Sequence, residues 1–75
     1  MKPMIGIVGR RKKGHMLEGM PEILHDLDLD MFLADYAAGV MAAGGVPVWL
    51  PVGADPADYI DRLDGFVLTG GADVV

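Results

Sequence analysis

The stretch Leu63-Asp64-Gly65-Phe66-Val67-Leu68-Thr69-Gly70-Gly71-Ala72-Asp73 most constrains how this chain can fold. Four apolar or β-favouring residues, Phe66 to Thr69, stand between the turn pair Asp64-Gly65 and the pair Gly70-Gly71. A short run bounded in this way is the signature of a strand buried on both faces, which belongs in a parallel sheet covered by crossovers. In open α/β sheets ligands bind beyond the carboxyl ends of the strands. Two adjacent residues without Cβ at such an end let backbone N–H groups come close to a ligand.

Two further runs repeat the pattern. Met4 to Val8 follows Pro3 and precedes Gly9, and Val46 to Leu50 carries Pro47 near its start and Pro51 at its end. Proline is admitted at a strand entry, where no ladder donor is needed. Between these runs, Asp30 is positioned as the N-cap of a helix over Met31 to Ala43, which Gly44-Gly45 should stop. Phe32, Tyr36 and Val40 recur every four residues and the alanines keep the other faces slim, so a mostly buried helix is expected. Asp55-Pro56-Ala57-Asp58 combines a cap, proline at the first helical position and an acid in the first turn, opening a short helix through Leu63. Residues 10–29 are polar and broken by Gly14, Gly19 and Pro21, which predicts a long loop with a helical turn near Pro21 to Leu24.

The order is β-α-β-α-β, with strands at 4–8, 46–50 and 65–69. Such alternation defines an α/β fold with a doubly wound, mostly parallel sheet and right-handed crossovers. Three strands with two helices leave sheet surface bare, so residues 1–75 are expected to be the N-terminal part of one larger domain.

Charge and cysteine usage narrow the function. The net charge is −5, and five of the six basic residues lie in the first 13 positions, so the remainder is acidic and a nucleic-acid partner is not expected. Without cysteine there is neither a disulfide framework nor a thiolate metal site, which favours a cytoplasmic setting. No run approaches the roughly 18 apolar residues of a membrane span.

Several motif fragments fail on inspection. Gly9 to Gly14 has the glycine spacing of a P-loop, but His15 and Met16 stand where Lys and Ser/Thr should grip phosphate and magnesium. Asp26, Asp28 and Asp30 match the opening of a calcium loop, yet Met31 replaces its glycine and Ala37 its bidentate glutamate. His15 and His25 lack a partner at metal-ligand spacing and read as surface loop residues. Neither a metal nor a cofactor is therefore expected. The methionines Met16, Met20, Met31 and Met41 read as flexible core filling, and Tyr36 and Trp49 as packing residues with hydrogen-bonded tips. The cluster Arg10 to Lys13 leaves the first strand at its ligand-facing end, either as a solvated loop or as a contact to an anion or substrate carboxylate.

Taken whole, the pattern resembles the N-terminal part of the gamma-glutamyl-gamma-aminobutyrate hydrolase family, within the class I glutamine amidotransferase-like superfamily. The matching residues are Pro3-Met4-Ile5-Gly6-Ile7 with Arg10, then Tyr36, then Ala43-Gly44-Gly45-Val46-Pro47-Val48 leading to Leu50-Pro51, and finally Leu63 to Val74. The resemblance implies a glutamine amidotransferase-like, flavodoxin-like three-layer sandwich. In it a cysteine on a strand-to-helix elbow attacks a gamma-glutamyl amide, assisted by a histidine and a glutamate late in the chain. It also implies that the loop Thr69-Gly70-Gly71 lies beside that cysteine, with the Gly70 and Gly71 amides as oxyanion-hole donors and Thr69 and Arg10 as substrate contacts.

The chain itself has no cysteine. The nucleophile would thus come from the remainder of the domain or a second chain, and the 75 residues alone should be inactive. Two other readings stand beside this one: a non-catalytic α/β module that dimerises or binds a partner through its open sheet edge, and the glutaminase part of a biosynthetic amidotransferase.

Overall fold

A computed structural model describes residues 1–68. Its elements in chain order are β1 (Met4–Val8), β2 (Arg10–Lys13), β3 (Asp28–Met31), α1 (Ala34–Ala42), β4 (Val46–Leu50) and β5 (Gly65–Leu68), with 3-10 turns at Gly14–Met16, Glu22–Leu24 and Pro56–Asp58. β4, β1 and β5 form a three-stranded parallel sheet in that order, and β2 and β3 form a separate antiparallel ribbon.

The strand order follows from how the connections can wind. From β1 the chain steps to one side to make β4, then crosses back past β1 to make β5. Right-handed crossovers place those two connections on opposite faces of the sheet. The contacts agree. A Cβ on Gly45, just after α1, would meet the side chains of Val40 at 2.9 Å and Ile5 at 3.3 Å, so α1 covers the Ile5 face. A Cβ on Gly6 would meet Leu63 at 2.7 Å and Leu50 at 2.8 Å, so the β4–β5 connection covers the other face. Between them Ile7 on the central strand is completely buried. This is the opening of a doubly wound α/β sheet, in the order by which flavodoxin-like folds begin.

Backbone pairs at the strand entries fix the register. Asp64 N–H donates to the Met4 carbonyl at 2.8 Å while Met4 N–H donates to the Asp64 carboxylate at 2.8 Å. Val46 N–H donates to the Pro3 carbonyl at 2.8 Å on the opposite flank.

α1 is shorter than the sequence predicts, and Asp30 is not its cap. Leu33 occupies that position without a side-chain bond, because Asp28 to Met31 are drawn into the ribbon. The expected deep burial is also absent. No α1 residue is fully buried; Tyr36, Ala37 and Val40 are half-buried, since the helix has only one sheet face beneath it. The predicted stop is present as a Schellman arrangement: Gly44, at φ +92°, donates to the Met41 carbonyl and Gly45 to the Val40 carbonyl. At Gly39, inside α1, a Cβ would meet nothing within 4 Å. Gly39→Ala should therefore raise stability by about 0.5–1 kcal/mol through helix propensity alone, read as a higher urea midpoint.

The second predicted helix is a loose winding. Asp55 caps it as expected, its side chain accepting from Ala57 N–H at 3.0 Å. The Asp58 and Tyr59 amides make i→i+3 bonds and those of Ile60 and Leu63 make i→i+4 bonds, so neither helix type is sustained.

Residues 10–29 are not the long loop that their composition suggests. Arg10–Lys13 pairs with Asp28–Met31 in the register Arg10↔Met31 to Lys13↔Asp28, setting cations opposite carboxylates. The methionine expectation also changes: Met16 and Met41 are exposed rather than filling a core.

Candidate functional site

In a sheet ordered β4-β1-β5 the chain winds in opposite senses on either side of β1, and the crevice between the carboxyl ends of β1 and β5 is a topological switch point. Open α/β folds place their ligands there because neither connection covers the strand ends. Val8 ends β1, and Leu68, paired with it, ends β5. Of the residues that the sequence marks for function, Arg10 lies just beyond this edge, at the start of β2. Thr69, Gly70 and Gly71 lie outside the described residues.

An apolar cavity of about 480 Å³ opens at the same end of the sheet. Val8, Leu50, Phe66 and Leu68 line it from the strands, and Tyr59 and Ile60 from the β4–β5 connection. Its volume is within the range of small-molecule sites. Leu68 remains 78% exposed at its rim.

The ribbon is fastened over this edge by a clasp. Gly9, between β1 and β2, makes the close approach possible: a Cβ there would stand 2.5 Å from the Met31 carbonyl oxygen and 2.8 Å from the Phe32 ring. Phe32 stacks on Trp49 of β4, with centroids 4.5 Å apart at 43°. Arg11 Nε donates to Asp30 Oδ1 at 2.8 Å, and Arg11 Nη2 donates to the Val52 carbonyl at 2.8 Å. Val52 N–H returns a bond to Asp30 Oδ2 at 3.0 Å. One residue of the loop after β4 is thus held through both its backbone groups. Lys13 pairs similarly with Asp28 at 3.0 Å and reaches the Asp26 carbonyl at 3.3 Å.

The hydrogen bond from Arg11 is the main reason that the Asp30 carboxyl is held below its ordinary value of 3.8, and the Val52 amide acts in the same direction. The same bond to Asp30 raises Arg11. A carboxyl depressed in the folded state contributes stability that is present above the unfolded value and is lost as pH falls through the folded one. Protection of the Val52 amide against hydrogen exchange should accordingly hold at neutral pH and disappear below the ordinary carboxylate range. In Asp30→Asn that protection should already be reduced at pH 7.

The sequence does not reveal this clasp, because Arg11 and Asp30 are 19 positions apart and Val52 lies beyond both. The one available signal is the matched alternation of cations over 10–13 with aspartates at 28 and 30. The three aspartates that resemble a calcium loop are used otherwise: Asp28 and Asp30 neutralise the ribbon, and among the described residues no three metal-binding side chains converge. His25 is half-buried, its Nε2 2.9 Å from the Met20 carbonyl, while His15 is exposed. Among the described residues no helix is long and apolar enough to cross a membrane.

A parallel sheet wound on both faces, with an open switch point at its carboxyl edge, defines a ligand-binding α/β protein. The model of the Peptidase C26 family matches residues 3–75, so the chain belongs to that family and, with it, to the class I glutamine amidotransferase-like superfamily of hydrolases. No curated protein and no solved structure is matched by the chain.

Proposed function

We propose that residues 1–75 are the N-terminal part of a cysteine-dependent hydrolase of gamma-glutamyl amides, and that their task is to supply the oxyanion-hole loop Thr69-Gly70-Gly71. The observation that carries this reading is the exit of β5 at the switch point directly ahead of a Gly-Gly pair, in a chain that belongs to the Peptidase C26 family. Backbone amides without neighbouring Cβ atoms suit an oxygen that becomes negative as a carbonyl is attacked.

The chemistry balances simply. A thiolate from outside these residues adds to the gamma-carbonyl carbon, forming a C–S bond and an oxyanion held by the Gly70 and Gly71 amides. Collapse breaks the C–N bond, and the amine leaves with a proton from the general acid. Water then cleaves the thioester, releasing glutamate and restoring the thiol. In this reading the 75 residues alone are inactive, since they contain no cysteine. The test is a panel of gamma- and alpha-linked glutamyl amides offered to the full-length protein. Glutamate release from the gamma-linked members alone is expected, and release only from alpha-linked members would contradict the proposal.

A further inference from the structure

The ribbon divides its four cations between its two faces. Arg11 and Lys13 share one face and stand opposite Asp30 and Asp28, with which they are paired. Arg10 and Lys12 alternate onto the other face, opposite Met31 and Leu29. Neither makes an ion pair or side-chain hydrogen bond among the described residues, although the chain carries 11 acidic side chains. Two like charges at neighbouring positions of one face repel each other, and an anion placed between them would relieve that repulsion.

The ribbon's orientation says where such an anion would sit. Its paired face is turned to the loop after β4, because Arg11 and Asp30 both bond Val52. The unpaired face is turned away from β4, and β5 lies on that other flank of β1. Gly9 alone separates Arg10 from the end of β1. The clasp thus fixes a planar, permanently charged fork beside the switch point, and a guanidinium fork matches a carboxylate with two parallel hydrogen bonds.

We propose that Arg10, supported by Lys12, binds a free carboxylate of the substrate and makes it a specificity determinant of the site, whereas Arg11 only positions the ribbon. This inference rests on the gamma-glutamyl reading above and adds which cation recognises the substrate. The carboxylate can belong to the glutamyl group or to the amine portion.

The test compares full-length wild type with Arg10→Gln, Arg10→Lys and, as a control cation at the opposite edge of the sheet, Arg62→Gln. Three substrates separate the sources: gamma-glutamyl-aminobutyrate, gamma-glutamyl-butylamine, and the alpha-methyl ester of the first. Arg10→Gln should raise KM about tenfold for substrates that carry the recognised carboxylate and leave KM unchanged where that group is missing. Arg10→Lys should recover part of the loss by restoring charge without the fork, and Arg62→Gln should change nothing. Loss of the effect with the butylamide assigns the carboxylate to the amine portion, and loss with the ester assigns it to the glutamyl group.

Binding of glutarate, followed by calorimetry, gives a readout independent of turnover and should weaken about tenfold in Arg10→Gln. Equal penalties for all three substrates, or glutarate binding that is absent in wild type or undiminished in Arg10→Gln, would overturn the assignment. Hydrolysis of none of the amides by wild type, with glutarate binding intact and sensitive to Arg10, would overturn the catalytic reading and leave the carboxylate site standing.

Discussion

Full-length protein carrying Gly70→Pro or Gly71→Pro should lose turnover by a factor on the order of 10²–10³ for each oxyanion donor removed. Proline deletes the N–H that the proposed mechanism uses and fixes φ near −65°. Gly70→Ala and Gly71→Ala keep the N–H and separate loss of the donor from a change of loop shape. Each alanine variant should turn over faster than its proline counterpart, while thermal midpoints across the set stay close to wild type. Unchanged kcat in both proline variants would remove the oxyanion role from these glycines.

The second large effect falls on the ribbon. Gly14 is buried where the ribbon closes, and a Cβ built on it would stand 1.9 Å from the Leu24 carbonyl oxygen and 2.6 Å from its carbon. Both are backbone atoms, so no side-chain rotation gives relief. Gly14 N–H also donates to the Leu27 carbonyl at 3.1 Å and His15 N–H to the His25 carbonyl at 3.2 Å, which ties the two 3-10 turns together. Gly14→Ala should break this junction at a cost of roughly 3 kcal/mol or more, with the urea midpoint falling accordingly. Gly39→Ala, the same substitution in open space, should move the midpoint the other way. Equal midpoints for the two variants would show that the ribbon does not close as described.

How much of this was legible in the sequence follows from the range over which each signal acts. β1 and β4 match the runs 4–8 and 46–50, and β5 occupies 65–68, because a short apolar run between glycine or proline boundaries is a local signal. The helix stop at Gly44-Gly45 and the Asp55 cap were legible for the same reason: each depends on contacts within a few residues. The ribbon was not legible. Arg10–Lys13 and Asp28–Met31 read separately as solvated charge and as the approach to a helix, and only their pairing gives both a strand conformation.

That one long-range pairing accounts for the other differences. It removes Asp30 from the helix cap, delays α1 to Ala34, and leaves Phe32 to stack on Trp49 instead of the helix face. It also changes the basic cluster from an undivided patch into a paired and an unpaired face. The carboxyl edge of the sheet was foreseeable from topology; the apolar cavity beside it was not, because Tyr59 and Ile60 reach it from a connection whose winding is irregular.

These features converge on one claim: the chain brings a glycine-rich strand end and a carboxylate-reading arginine to the site of a cysteine-dependent acyl transfer, and the nucleophile lies outside its 75 residues. The most direct measurement is glutamate release from a gamma-glutamyl amide by the full-length protein, before and after alkylation with iodoacetamide. Release should be rapid before treatment and abolished after it, with substrate protecting against the loss. Release that survives complete alkylation, or that the cysteine-free 75-residue chain performs alone, would contradict a cysteine-dependent mechanism.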